Sequence, residues 1–121
     1  MIPPENLTDS EVINIILKGE SQLYETIIRR YNPYLYKIGR SYNLSHEDTQ
    51  DMMQDTFVDA YKGLAGFEGR SSFKTWIIRI MMNNCYKKKE KASFKNEIMQ
   101  DVNDQSKLIY AGKNDDTSHV V

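Results

Sequence analysis

The side chains between residues 73 and 81 leave this chain little conformational choice. Phe73, Trp76, Ile77, Ile80 and Met81 recur at steps of three and four, which places them on one face of a helix and excludes a strand, whose period is two. Lys74, Arg79, Asn83 and Lys87 fall largely off that stripe, so the same helix carries cations and an amide on another side. Just upstream, Gly66 and Gly69 interrupt regular structure, and Ser71 or Ser72 is placed to cap the helix that begins near Phe73. The basic run at 87–91 suits a helix C-terminus, where positive charge meets the negative end of the dipole. Such a helix, with Phe67 in the loop before it, can dock on a domain and touch nucleic acid together. A core helix with a solvated basic end fits the same features equally well.

The rest of the chain reads as helices too. Of the three prolines only Pro33 stands outside the N-terminus, so long stretches are free of breakers. A first helix is expected to open at Thr8 or Ser10, with Glu11 supporting the cap, and to end at Lys18 and Gly19. Residues 20–42 give a second, with Leu23, Tyr24, Ile27, Ile28, Tyr31, Leu35, Ile38 and Tyr42 in helical register, and Pro33 is expected to kink or split it. Asn43 and Leu44 form the turn, and Ser45 caps a third helix running to about Leu64. Met53, Phe57, Ala60, Tyr61 and Leu64 are its inward stripe. The expectation is an all-α fold, a small bundle of three to four helices over 1–91. The tail, 92–121, is acidic and largely linker-like, with weak periodicity around Phe94, Ile98, Met99 and Val102 and one short helix near 108–110.

Charge is segregated along the chain. Residues 1–69 hold six Lys/Arg against eleven Asp/Glu, 70–95 hold eight against one, and 96–121 hold two against five, so a net charge of −1 conceals an acidic and a basic surface. Two oppositely charged surfaces suggest two partners. Asp48, Asp51, Asp55 and Asp59 form a stripe on the third helix with Gln54 beside it. Like charges at these spacings repel, so the row asks for a cationic partner.

Other functions find little support. The acidic row with His46 lacks the second carboxylate-histidine helix of a bundle metal site, so no metal is expected. The chain has no nucleophile triad, phosphate-binding loop or dinucleotide glycine pattern, so neither an enzyme nor a cofactor is expected. No apolar run approaches the roughly 20 residues of a membrane span, which argues against membrane insertion. The single Cys85 fits a reducing, cytoplasmic setting as a packed, inert thiol.

One run of residues carries a resemblance. Gln54-Asp55-Thr56-Phe57, Ala60-Tyr61 and Leu64, then Phe67-x-Gly69-x-Ser71-x-Phe73-x-Thr75-Trp76-Ile77-x-Arg79-Ile80 and Asn83, resemble region 2 of the extracytoplasmic-function (ECF) sigma factors. These are promoter-recognition subunits of bacterial RNA polymerase. The resemblance implies that Asp51, Gln54, Asp55 and Phe57 meet the clamp helices of the largest polymerase subunit. It also implies that Phe67 and Asn83 border a pocket for a flipped base of the single-stranded minus-ten element, with the loop at 67–72, Ser71 and Ser72 included, as the specificity loop. Lys62, Arg70, Lys74, Arg79 and Lys87 are candidate phosphate contacts, and Trp76 is read as structural. Met81, Met82, Asn84, Cys85 and Tyr86 depart from the small residues usual in the family. The second helical domain of such factors, region 4, is not discernible, so a piece of a longer chain is expected. The competing expectation is a helical protein-interaction module without DNA readout, such as a decoy for an anti-sigma factor.

Overall fold

Thr8 starts the first helix by a reciprocal cap: Glu11 N donates to Thr8 Oγ1 at 3.1 Å, and Thr8 N donates to Glu11 Oε1 at 2.8 Å. The structure, a computed structural model, describes residues 2–111 and the side chains of 2–101. Four α-helices succeed one another in order: α1 (Asp9–Leu17), α2 (Tyr24–Ser41), α3 (His46–Gly63) and α4 (Phe73–Ala111), with single 3₁₀ turns at Pro4–Asn6, Ser21–Leu23 and Leu64–Gly66. No strand occurs among the described residues.

Local chemistry sets most of the boundaries. Gly19, at φ 120°, takes the chain out of α1 in a conformation open to glycine. Between α2 and α3, Asn43 sits in the left-handed region at φ 61°, and Ser45 Oγ then accepts from Asp48 N at 3.0 Å to cap α3. The second helix starts at Tyr24, after a 3₁₀ turn at Ser21–Leu23, and is not split at Pro33. Pro33 lies on the exposed side of α2, so the carbonyl that loses its partner there can be hydrated.

Packing divides the chain into two units, Met1–Tyr86 and Lys87–Val121. The first encloses one core: Val12, Ile13 and Ile16 from α1, Ile27 and Leu35 from α2, Met53, Phe57 and Ala60 from α3, and Phe73, Ile77, Met81 and Cys85 from α4. The deepest stripe of α4 is thus 73, 77, 81 and 85, while Trp76 and Ile80 are half-buried on its shoulder. Burial pushes the Cys85 thiol pKa up, which keeps it protonated and unreactive.

Two features fix how the helices sit. At the crossing of α2 and α3, a Cβ added to Gly39 would lie 2.5 Å from Thr49 Cγ2, so only glycine permits this approach. Thr49 is itself fully buried. Near the N-terminus, Arg30 pairs with Asp9 at 2.8 Å and donates to the carbonyls of Pro4 at 2.9 Å and Leu7 at 2.6 Å. Tyr31 Oη also donates to Asp9. One buried-side arginine and one tyrosine therefore stitch the first ten residues to α2.

In the second unit α4 continues through Ala111, past the helix end expected near Lys91 and through most of the segment read as linker. The reason is composition: no Gly or Pro interrupts 73–111, and Lys, Glu, Ala, Met and Gln are good helix formers. Phe94, Ile98 and Met99 are exposed there. The remaining tail, including the end of the segment expected to be linker, lies outside the described residues.

Candidate nucleic-acid and protein interfaces

The loop before α4 is seated by aromatic packing. Phe67 is half-buried, its ring centroid 4.9 Å from Trp76 and 5.8 Å from Phe73. Gly69, at φ 73°, provides the turn. Ser72 closes it as the α4 cap: its Oγ accepts from Thr75 N at 3.1 Å and its carbonyl from Trp76 N at 3.1 Å. Ser71 Oγ donates to the Ser72 carbonyl at 3.2 Å. Trp76 is a support for this loop, and the indole covers Gly63, where an added Cβ would meet it at 3.4 Å.

Along α4, Trp76, Ile80 and Asn83 share one narrow sector of the helix. Seven residues separate the first from the last, two turns or about 10 Å. Phe67 is half-buried against Trp76 at the start of this sector, and Asn83 is exposed at its far end. Arg79 stands one turn before Asn83, exposed and in no ion pair among the described residues. An apolar ring edge, an amide that both donates and accepts, and an unpaired cation are what a base edge and its phosphate require.

The other candidates are distributed differently. Arg70 pairs with Glu68 at 3.0 Å, an exposed contact that competes weakly with a phosphate. Lys74 does not point freely into solvent: its Nζ lies over the Tyr34 ring, 4.1 Å from the centroid. Lys62 is exposed in the last turn of α3, and Lys87 is exposed in the second unit.

A polar bridge that sequence reading missed ties α4 to α3. Asn84 Nδ2 donates to Thr56 Oγ1 at 3.1 Å and to Asp59 Oδ2 at 3.2 Å, and Thr56 Oγ1 donates to the Met52 carbonyl at 2.7 Å. Asp59 thereby gains an amide partner on α4 while it stays exposed. Asp51 and Asp55 remain exposed and in no ion pair among the described residues.

Asp51, but not Asp55, lines a groove of about 680 Å³ between α2 and α3. Its walls include Tyr24, Ile28 and Asn32 on one side and Asp51, Gln54 and Val58 on the other. Phe57 is buried and reaches the groove only as floor, with Tyr61 beside it. Tyr24 braces the floor by donating to the Phe57 carbonyl at 2.5 Å and by an edge contact with Tyr61 at 5.0 Å. Burial first, and the neighbouring Tyr61 second, push the Tyr24 phenol pKa well up, so it remains a donor. The α2 wall was invisible in the sequence, because Ile28 and Asn32 become groove residues only through packing against α3. His46, weighed as a metal ligand, instead bonds Tyr36 Oη through Nδ1 at 2.9 Å.

The described residues form an all-α bundle with a groove between α2 and α3 that Asp51 lines and with aromatic, amide and cationic side chains along α4. Residues 27–94 match the family Sigma-70 region 2, and the chain belongs to that family. It is similar to the ECF RNA polymerase sigma-E factor of Haemophilus influenzae, 30% identical over 81 residues, covering 67% of this chain and 42% of that protein. It is likewise similar to the sigma-E factor of Escherichia coli strain K12, 32% identical over 81 residues with the same coverage, 67% and 42%. The chain thus spans well under half the length of these curated relatives. A solved structure of an engineered region 2 of sigmaE in complex with GTAAAA is similar with a TM-score of 0.68 and 25% identity, covering 75% of this chain and 95% of that one.

Proposed function

We propose that this chain is the promoter-recognition domain of an ECF sigma factor, acting in transcription initiation in the cytoplasm. The α2–α3 groove, lined by Asp51 and Gln54 with Asp55 one turn further along α3, takes the clamp helices of the largest RNA polymerase subunit. The face from Phe67 to Asn83 takes the single-stranded non-template strand of the minus-ten element, with Arg79 and Lys62 on phosphates. Catalysis belongs to the polymerase. The observation that carries this reading is Asn83, exposed on the one helical face that continues into the Phe67–Trp76 cluster. The reading is also supported by family membership and by the GTAAAA in complex with the engineered sigmaE region 2.

A second reading keeps the groove and drops the DNA: a protein-interaction module that engages an anti-sigma factor. The groove of about 680 Å³ favours a helical occupant whichever partner supplies it. Titration with labelled single strands, GTAAAA and its scrambles among them, at two salt concentrations separates the two. Promoter recognition requires sequence-dependent binding that weakens with salt and loses its sequence preference in Asn83→Ala. Equal binding of every strand would leave the interaction module.

A further inference from the structure

Tyr34 is exposed to 45% although it sits beside a buried aromatic chain. Its ring contacts Tyr31 at 6.1 Å, Tyr31 contacts Phe73 edge-on at 5.6 Å, and Phe73 contacts Phe67 at 5.8 Å. The rings thus pass without a break from the candidate reading loop, through the core, to an open ring on α2. Tyr31 is locked by its bond to Asp9, so the support beneath Tyr34 is fixed. Lys74, two residues beyond the loop, holds its ammonium 4.1 Å from the Tyr34 centroid, and Lys37 is exposed one helical turn further along α2. Neither lysine forms an ion pair among the described residues.

An exposed ring on a rigid mount, flanked by two unpaired lysines, is the composition of a sequence-tolerant station for single strands. We infer that Tyr34, with Lys37 and Lys74, stacks one unpaired nucleobase of the strand outside the segment read by Phe67 and Asn83. In the free protein the Lys74 ammonium covers the ring. The arriving base replaces it, because base stacking exceeds an exposed cation–π contact, and the freed ammonium moves to a neighbouring phosphate. The inference rests on the promoter-strand reading above and extends it onto α2, so that the strand bends round the loop and does not follow α4 alone.

The test uses the full 121-residue chain. A short core strand selected from a randomised pool is compared with the same core lengthened by about six nucleotides at each end, within known single-strand site sizes. Tyr34→Ala is expected to weaken the long strand about tenfold and leave the short one unchanged, with Tyr34→Phe binding like the parent. Lys74→Ala is expected to lower the salt slope on the long strand by about 0.7. Equal long-strand binding by Tyr34→Ala and parent overturns the inference, and so does an equal loss on both strands, which would mark the ring as structural. Asn83→Ala on the short strand reports separately on the underlying reading. If that variant loses sequence preference while Tyr34→Ala changes nothing, only the Tyr34 station falls. If the pool yields no preferred strand, both fall.

Discussion

The α2–α3 groove and the loop-α4 face lie on the same small unit but are built on different physics. The groove is a concave, mostly apolar floor with the exposed carboxylate of Asp51 in its lining and Asp55 one turn further along α3, suited to a partner that brings its own apolar ridge and positive charge. The α4 face is convex, with one aromatic shoulder, one amide and scattered cations, suited to a flexible polyanion. On the proposed reading, affinity in the first would come from buried area and charge complementarity, whereas in the second it would come mainly from phosphate contacts and only its selectivity from the amide. The difference teaches that the two surfaces should fail independently, because no residue of one performs the chemistry of the other.

The largest expected effect breaks the groove alone. Asp51→Arg with Asp55→Arg should cost several kcal/mol of association with a clamp-helix peptide, over a hundredfold, through like-charge juxtaposition. Single-strand binding should persist in the same protein. Measured by titration of both ligands, simultaneous loss of both would show that the faces are coupled. Next, Asn83→Ala should remove the preference for the best strand by roughly tenfold, as expected for a lost base-edge hydrogen-bond pair, and leave the groove ligand unaffected.

A smaller change probes the joint between the faces. Asn84→Ala removes the bonds to Thr56 and Asp59 and should cost about 1 kcal/mol, several degrees in Tm for a unit of this size. If the bridge is purely structural, both affinities hold at temperatures where the variant is folded. The smallest effect concerns the outlying lysine: Lys62→Ala should reduce the salt slope of strand binding by about 0.7 with sequence preference intact. A changed preference instead would move Lys62 from phosphate contact to readout.

How much of this was legible in the sequence depended on the range of the interaction. Thr8, Ser45 and Ser72 act on backbone groups three residues away, so caps and helix starts could be read directly. Pro33 does not split α2, since its cost depends on whether the freed carbonyl meets water, which only the fold decides. The helix beyond Lys91 was missed because weak amphipathic periodicity was weighed above the absence of breakers. In the candidate sites, exposed Asp51, Asp55, Arg79 and Asn83 stand where their spacing put them. The α2 wall of the groove, the Asn84 bridge and the capture of Lys74 by Tyr34 were not readable, because each joins residues from different helices.

The approach of α2 to α3 at Gly39 and Thr49 has a mechanical corollary. Where the Gly39 backbone meets the fully buried Thr49 side chain with no room for a methyl group, neither helix can slide inward. The cleft they bound is accordingly of set width before anything enters it. On the proposed reading, an incoming helix would forfeit little freedom in the host and would have to match a gauge set at Gly39 and Thr49, which lie outside the groove's lining.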